Sequence, residues 1–145
     1  MSYRAAILLF KNNQVALIER RRQGEHYYTF PGGHIEQGEA PEHAACREAE
    51  EELGLQVTIR RLVAVAEWQG LPQYYFLADS GAGIFGQGRG EEMLNPRPES
   101  GSYQAVWMEV TALLHEPVLP RPVVERVALW LKDGWPDEPQ NLGKV

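Results

Sequence analysis

The sequence predicts an α/β (α+β) fold in which a mixed β-sheet lies between two helices. Short segments rich in β-branched and aromatic residues recur along the chain, which is typical of strands. Two segments repeat apolar residues at helical spacing, at 41–53 and at 122–132. At 145 residues the chain has the length of one folding unit, so we expect a single domain over residues 1–145.

Five segments are predicted strands, namely residues 4–10, 15–20, 56–68, 73–79 and 103–110. The first two form a hairpin around a polar turn at 11–14. Leu71-Pro72 is predicted to turn the chain between the third and the fourth strand. The segment from Pro136 onward is polar, so we expect residues 136–145 to be a frayed tail.

The first predicted helix has recognisable ends. Pro41 fits the first helical position, and Glu42 is favourable at the positive end of the helix dipole. Gly54 suits the left-handed residue that commonly follows a helix. We expect this helix to lie across one face of the sheet and the second helix, which ends before Gly134, to cover the other face.

Acidic residues are concentrated in one stretch of the chain. The chain has 20 Asp and Glu residues against 14 Lys and Arg residues. Residues 33–55 contain seven of the acids and a single base, Arg47, so the rest of the chain is balanced. We expect no duplex nucleic acid as a partner, because the sequence indicates no broad basic surface.

Cellular location is also constrained by composition. Cys46 is the single cysteine, which excludes an internal disulfide and favours a reducing compartment. Its position inside the first predicted helix favours packing over a nucleophilic role. The apolar run at 5–10 is too short to span a membrane, and the N-terminus lacks a signal-peptide pattern. We therefore expect a soluble, cytoplasmic protein with no membrane partner.

Three glutamates stand at helical spacing in the first predicted helix. Glu48, Glu51 and Glu52 occupy positions i, i+3 and i+4, so their carboxylates project from one face within roughly 100°. Carboxylates this close repel one another, which a bound cation would relieve. Oxygen ligands select hard divalent ions, Mg²⁺ first and Mn²⁺ as a substitute. A solvated acidic face is the alternative for an isolated run of glutamates.

The residues around these glutamates complete a longer motif. Gly33, Glu39, Arg47-Glu48, Glu51-Glu52 and Gly54 match the spacing Gly-x5-Glu-x7-Arg-Glu-U-x-Glu-Glu-x-Gly-U, where U is a bulky aliphatic residue. This pattern resembles the Nudix box, the signature of hydrolases that cleave nucleoside diphosphates linked to another moiety. Ala49 is smaller than the residue usual at its position, which affects local packing and leaves the charged positions intact.

The resemblance implies a Nudix (MutT-like) hydrolase with a Nudix fold. The implied reaction is Mg²⁺-dependent hydrolysis of a phosphoanhydride (pyrophosphate) bond by water, in a nucleoside diphosphate-linked or nucleoside triphosphate substrate. A nucleotide-binding module that does not cleave its ligand is the alternative, although such modules usually lack box glutamates. A structural calcium site is disfavoured because the helical spacing lacks the loop ligands of an EF-hand.

The same resemblance implies roles for individual residues. The implied metal ligands are the carbonyl of Gly32 and the side chains of Glu48, Glu51, Glu52 and, from a later loop, Glu92. One of the clustered glutamates, or Glu39 or Glu92, would accept the proton of the attacking water. Arg47 and Glu39 would interact and orient the cluster, with an i, i+4 pair between Arg47 and Glu51 as the geometric alternative.

Substrate contacts are expected outside the box. Arg20 and Arg22 share one face if the second strand continues, where they would hold phosphate oxygens or form a solvated edge. Tyr28 is a candidate for stacking on a base, as are other aromatic residues that would more often belong to the core. The motif assigns no particular nucleotide, and a homodimer, common among relatives, stays open.

A glycine pattern in the loop at 80–90 suggests a different function. Gly81, Gly83 and Gly86 spell G-x-G-x-x-G, the dinucleotide-binding fingerprint. The helix that this fingerprint requires does not follow, because glycines and prolines interrupt the chain, so we reject a Rossmann unit. We expect instead a mobile loop that closes over the substrate.

Overall fold

The structure is a computed structural model that describes residues 3–94 and 97–145. Its strands are β1 (Arg4–Lys11), β2 (Gln14–Arg22), β3 (Glu25–Thr29), β4 (Gly32–His34), β5 (Leu55–Trp68), β6 (Leu71–Gly83), β7 (Ser102–Glu109), β8 (Val118–Leu119) and β9 (Gln140–Lys144). Its helices are α1 (Pro41–Leu53), α2 (Glu91–Leu94) and α3 (Arg121–Asp133), with short 3₁₀ turns at Pro98–Ser100 and Val110–Ala112. No helix in these ranges has the length and apolar character of a membrane span.

Strand β1 lies at the centre of a mixed sheet. The strand order is β8-β3-β2-β1-β6-β5-β9, with β4 paired to β1 and β7 paired to β2. β1 runs parallel to β6 and antiparallel to β4, while β5 and β6 form a long antiparallel hairpin. The predicted mixed sheet is therefore confirmed.

The first two strands pair only beside their turn and then diverge. Phe10 pairs with Val15 and Lys11 with Gln14. Farther from the turn, β1 pairs with β4 and β6, whereas β2 pairs with β3 and β7. The divergence leaves a cleft between two strands that are neighbours in the sequence, and a large cavity lies there.

The sheet is covered by one helix on each face. Alternate residues of β1 point to opposite faces, so Ala5, Ile7 and Leu9 belong to one core cluster and Ala6 and Leu8 to the other. The first cluster includes the buried face of α1, formed by Ala44, Ala45, Ala49 and Leu53. The second includes the buried face of α3, formed by Val123, Val124, Val127 and Trp130. The predicted arrangement of a sheet between two helices is confirmed.

The bounds predicted for α1 are confirmed. The helix begins at Pro41 and ends at Leu53, and Gly54 has the expected left-handed backbone with φ of 79°. Ala49 is buried against the sheet, so its small side chain allows the helix to lie close to β1.

Two loop predictions are wrong. Leu71-Pro72 does not turn the chain, because Gln69 and Gly70 form the turn with φ of 54° and 80° and both later residues lie in β6. A two-residue turn of this hand matches the twist of a hairpin. The loop predicted at 80–90 begins too early, because residues 80–83 belong to β6. Gly86 and Gly90 donate backbone hydrogen bonds to the last carbonyls of α1, those of Leu53 and Glu51, at 2.9 and 2.8 Å. Closure of the remaining loop over a substrate stays a prediction.

The expectation of a frayed tail at 136–145 is also wrong. Residues 140–144 form β9, which pairs in parallel with β5. Leu142 and Val145 pack against the core cluster beneath α3, and the Val145 N–H donates to the carbonyl of Glu67 at 2.9 Å. Two apolar side chains and the pairing with β5 therefore hold this otherwise polar segment against the rest of the protein.

Replacing both Leu142 and Val145 by Ala should therefore destabilise the protein. We expect the free energy of unfolding to fall by about 1–2 kcal/mol. Both side chains are half-buried, so their truncation removes less apolar contact than truncation of a fully buried residue would. Urea denaturation followed by tryptophan fluorescence measures the change. Lys144→Ala, at an exposed position of the same strand, is the control, and equal stability of both variants would contradict the docking of β9.

Candidate active site

The carboxylate of Glu52 lies inside the protein at the contact between α1 and β4. Its residue is 7 % exposed, and its Oε1 accepts a hydrogen bond from the Gly32 N–H at 2.7 Å. Burial, followed by the negative charge of Glu48, raises the pKa of Glu52 well above its usual value, while the Gly32 N–H opposes this shift. The side chain is therefore an acidic group held where negative charge is costly.

Gly33 lets the helix approach this closely, and Gly32 lets β4 lie against β1. A Cβ atom on Gly33 would lie 2.4 Å from the carboxyl carbon of Glu48, and one on Gly32 would lie 2.3 Å from the carbonyl oxygen of Ala5. Any larger residue at position 33 would displace the Glu48 side chain. The first glycine of the sequence motif is thus required by contact with its own glutamate.

Arg47 binds three of the motif carboxylates. Its Nε and Nη2 donate to the two oxygens of Glu39 at 2.9 and 3.0 Å, in a bidentate pair. Its Nη1 donates to Glu48 at 3.0 Å and to Glu51 at 3.2 Å. The predicted contact between Arg47 and Glu39 is confirmed, and the alternative contact with Glu51 is present as well.

The contacts of Glu39 change its titration. The hydrogen bond from Arg47 is the largest cause that lowers the pKa of Glu39 from 4.5 to about 2, against the opposing effect of burial. The backbone N–H of Glu36 and the ring of His43 also bind its oxygens, at 2.9 and 2.7 Å. Glu39 therefore stays ionised at all physiological pH values.

The pKa of Glu48 is shifted in the opposite direction to that of Glu39. Burial, followed by the negative charge of Glu51, raises the pKa of Glu48, and Arg47 only partly compensates. Glu92 of α2 adds to the repulsion at both Glu48 and Glu52. Glu92 is exposed and lines the same cavity, so the structure brings this predicted residue toward the cluster.

The predicted metal ligands do not point at one centre. Within residues 3–94 and 97–145, no three side chains of His, Cys, Asp or Glu converge as a metal site requires. Glu48 and Glu51 are directed to Arg47 and Glu52 to the Gly32 N–H. The donor set still suits a hard cation, because it consists of carboxylates that are buried and close to one another, and both conditions raise the pKa of Glu48 and Glu52. Coordination by these residues and by the Gly32 carbonyl stays a prediction.

A cavity of about 680 Å³ adjoins the carboxylates, in the cleft between β1 and β2. Its lining includes the acidic side chains of the motif helix, and it also includes Arg4 of β1 and Arg20 and Arg22 of β2. Aromatic residues complete the walls: Tyr27, Phe30, Trp68, Tyr75 and Tyr103. The cavity therefore combines anionic, cationic and aromatic surfaces, as a phosphorylated aromatic ligand would require.

The two predicted arginines share one face, as expected. The guanidinium carbon of Arg20 lies 3.7 Å from the centre of the Tyr103 ring, and its Nη2 donates to the carbonyl of Ser100 at 2.7 Å. The Nε of Arg22 donates to the carbonyl of Glu99 at 3.1 Å. Both arginines line the cavity. Their binding of phosphate stays a prediction.

Tyr28 is not brought to the cavity. Its hydroxyl donates to Glu19 at 3.4 Å, and its ring packs against the core cluster beneath α3. Tyr27 lines the cavity instead, because adjacent residues of a strand point to opposite faces. The sequence reasoning chose the wrong member of the Tyr27-Tyr28 pair.

Three cavity residues escaped the sequence reasoning. Arg4 and the pair Gln73 and Tyr75 belong to β1 and β6, which pair in parallel with Arg4 opposite Gln73. The i, i+2 spacing of Gln73 and Tyr75 placed them on one face, but nothing in the chain indicated which face borders a cavity.

Comparison with known proteins agrees with the motif. The model of the NUDIX domain family matches residues 2–128, which is most of the chain. This chain belongs to the Nudix family, and the resemblance drawn from its glutamate motif is confirmed.

Individual relatives cover only part of the chain. An RNA pyrophosphohydrolase of Pseudoalteromonas translucida is 37 % identical over 79 residues, which are 52 % of this chain and 46 % of that protein. An RNA pyrophosphohydrolase of Photorhabdus laumondii is 41 % identical over 58 residues, which are 39 % of this chain and 33 % of that protein. The chain thus spans about half, or less, of the length of these relatives.

Solved structures share the fold over nearly the whole chain. A NUDIX hydrolase from Nitrosomonas europaea has a TM-score of 0.73 at 20 % identity, covering 99 % of this chain and 79 % of its own. An ADP-ribose pyrophosphatase from Streptococcus suis has a TM-score of 0.70 at 18 % identity, covering 97 % and 98 %. At these identities the likeness establishes the Nudix fold.

The low pKa of Glu39 predicts how Glu39→Gln changes stability with pH. Because the folded state holds this carboxylate ionised, its stabilisation is complete above about pH 4.5 and is lost as the pH falls toward 2. We expect the variant to be less stable than the wild type at pH 7, with a difference that narrows over that window. Urea titrations from pH 2.5 to 7 measure it.

Glu42→Gln, at an exposed position of the same helix, is the control for removing one charge. A difference between the wild type and Glu39→Gln that stays constant from pH 7 to 2.5 would contradict the assigned ion pair.

Proposed function

We propose that this protein is a pyrophosphohydrolase that hydrolyses a phosphoanhydride bond of a nucleotide-type substrate with the help of Mg²⁺. The observation that carries the proposal is that the three helical glutamates of the motif line one cavity together with arginines of β1 and β2. The names of the partly matching relatives, RNA pyrophosphohydrolases among them, agree with this class of reaction.

The acidic and the basic residues of the cavity would have different parts in the reaction. Glu48, Glu51 and Glu52, with the carbonyl of Gly32, would hold the cation. A divalent cation, when bound, neutralises phosphate charge and makes water easier to deprotonate. Arg20 and Arg22 would bind phosphate oxygens and keep the scissile bridge in place beside the carboxylates.

Arg47 and Glu39 have a positioning role in this proposal. Both oxygens of Glu39 already accept hydrogen bonds from Arg47, and its pKa of about 2 is far from that of an efficient base. The proton of the attacking water would therefore pass to another carboxylate of the site, among Glu48, Glu51, Glu52 and Glu92. Arg47, held by Glu39, would orient Glu48 and Glu51.

The alternative of a nucleotide sensor without activity has less support. All three helical glutamates are retained and adjoin the cavity.

The proposed location is the cytoplasm, on the basis of the single cysteine, which is free.

The proposal predicts that Glu52→Gln and Glu51→Gln each lower turnover by two orders of magnitude or more, because each removes a negatively charged oxygen ligand. Cleavage should be measured with Mg²⁺ over 5′-triphosphorylated RNA, nucleoside triphosphates, ADP-ribose, nucleotide sugars and dinucleoside polyphosphates. Released phosphate or pyrophosphate reports on the triphosphates, and chromatography of the two phosphorylated products reports on the other three classes. A substrate found in this panel then serves for the variants.

Glu50→Gln is the matched control, since Glu50 is an exposed residue of the same helix. It should retain wild-type turnover. If Glu51→Gln and Glu52→Gln also retain it, the assignment of the ligands is wrong, and if the wild type cleaves nothing in the panel, the sensor interpretation prevails.

A further inference from the structure

Two buried polar atoms without hydrogen-bond partners border the same cavity. Among the described residues they are the Nε of Arg20 and the hydroxyl of Tyr75. A buried polar group without a partner is unfavourable by roughly 1–3 kcal/mol, so native proteins contain few of them. Their location on a single cavity indicates that a ligand supplies the missing partners.

Tyr75 lies apart from the carboxylate cluster. It stands beside Ala6 of β1, and Ala6 in turn pairs with Gly32 of β4. Two strand spacings therefore separate the backbones of Tyr75 and Gly32, about 10 Å in all. This separation of the backbones leaves room for the hydroxyl of Tyr75 to meet a part of the substrate other than the phosphates held at the carboxylates.

The surroundings of Tyr75 suit a planar, mostly apolar group. The ring of Phe30 packs edge-on against Tyr75, with centroids 6.1 Å apart and planes at 83°. Ala6, Leu119 and Pro120 also line the cavity and contribute apolar surface. An apolar pocket with a few polar contacts is typical of sites that bind aromatic ligands.

Gln73 provides a second polar group on the same side of β6. It is two residues from Tyr75, lines the same cavity and is 4 % exposed. An amide both donates and accepts, and the hydroxyl of Tyr75 does the same, so together they complement the mixed donors and acceptors of a base edge.

We infer that the hydroxyl of Tyr75 and the amide of Gln73 bind the hydrogen-bonding edge of the substrate's nucleobase, and that they determine which base is preferred. The inference rests on the proposed function in one respect, namely that the ligand is a nucleotide. Burial raises the pKa of the Tyr75 phenol above its usual value, so the hydroxyl keeps its proton for donation.

Binding measurements with Tyr75→Phe test the inference, because this change removes the hydroxyl and keeps the ring. The probes are AMP, GMP, CMP, UMP and ribose 5-phosphate, which lacks a base, titrated into the full chain by calorimetry. None of these contains a phosphoanhydride bond, so the result does not depend on turnover. Tyr74→Phe is the matched control, since Tyr74 packs against the opposite core cluster.

We expect the wild type to bind at least one nucleoside monophosphate about tenfold or more tightly than ribose 5-phosphate. Tyr75→Phe should lose about tenfold in affinity for that nucleotide and none for ribose 5-phosphate, as the loss of one hydrogen bond to a ligand predicts. Tyr74→Phe should bind both as the wild type does. Gln73→Leu should alter the ranking of the four bases.

Thermal unfolding distinguishes a ligand contact from a structural one. Tyr75→Phe should melt at the wild-type temperature or above it, because an unpaired buried hydroxyl is lost. A lower melting temperature would assign the hydroxyl to the fold and overturn the inference. Three binding results would also overturn the inference. The first is that no monophosphate binds the wild type better than ribose 5-phosphate does. The others are that Tyr75→Phe binds the nucleotide with normal affinity, or that it loses affinity for the nucleotide and for ribose 5-phosphate alike.

These outcomes are separate from those of the proposed function. Selective loss of nucleotide binding in Tyr75→Phe supports the base site even if the wild type hydrolyses nothing. Hydrolysis without any contribution of the base to binding supports the enzyme and rejects the base site.

Discussion

The balance between one arginine and the carboxylates around it governs the structure of the site. Arg47 donates to Glu39, Glu48 and Glu51, and the remaining carboxylate, that of Glu52, is satisfied by a backbone N–H. One guanidinium cannot neutralise this many acids. Burial and, after it, the residual repulsion raise the pKa of Glu48 and Glu52, whereas the hydrogen bond from Arg47 lowers the pKa of Glu39. The motif thus contains a positioning pair, Arg47 with Glu39, and carboxylates whose negative charge is not fully neutralised, those of Glu48 and Glu52.

The sheet provides the space in which that charge acts. If β1 and β2 remained paired beyond their turn, their side chains would close the cleft that the cavity occupies. Their divergence exposes Arg4 on one strand and Arg20 and Arg22 on the other. The close approach of α1, which Gly33 permits, then places Glu48 at the edge of the same cleft. Opposite charges face a common cavity because two strands separate and one helix lies close.

The local elements were the most predictable part of the fold. The bounds of α1 depend on Pro41 and Gly54, whose backbone preferences act at the residue itself, and the structure reproduces them. Predictions failed where a distant partner decides the outcome. Residues 140–144 became a strand because the edge of β5 was free, and the glycine loop is held by carbonyls at the end of α1. Neither partner lies near its segment in the sequence.

The sequence by itself determined the family and the helix that carries the glutamates, because both follow from residue spacing along a single helix and its preceding turn. The family resemblance added the pairing of Arg47 with Glu39, which helical spacing alone did not distinguish from a pair with Glu51. Only the tertiary structure decided that Tyr27 rather than Tyr28 lines the cavity, and that Gln73 and Tyr75 lie at its wall. Strand periodicity separates the two faces of a strand without telling which face borders a cleft. That choice depends on how strands far apart in the chain pair and diverge.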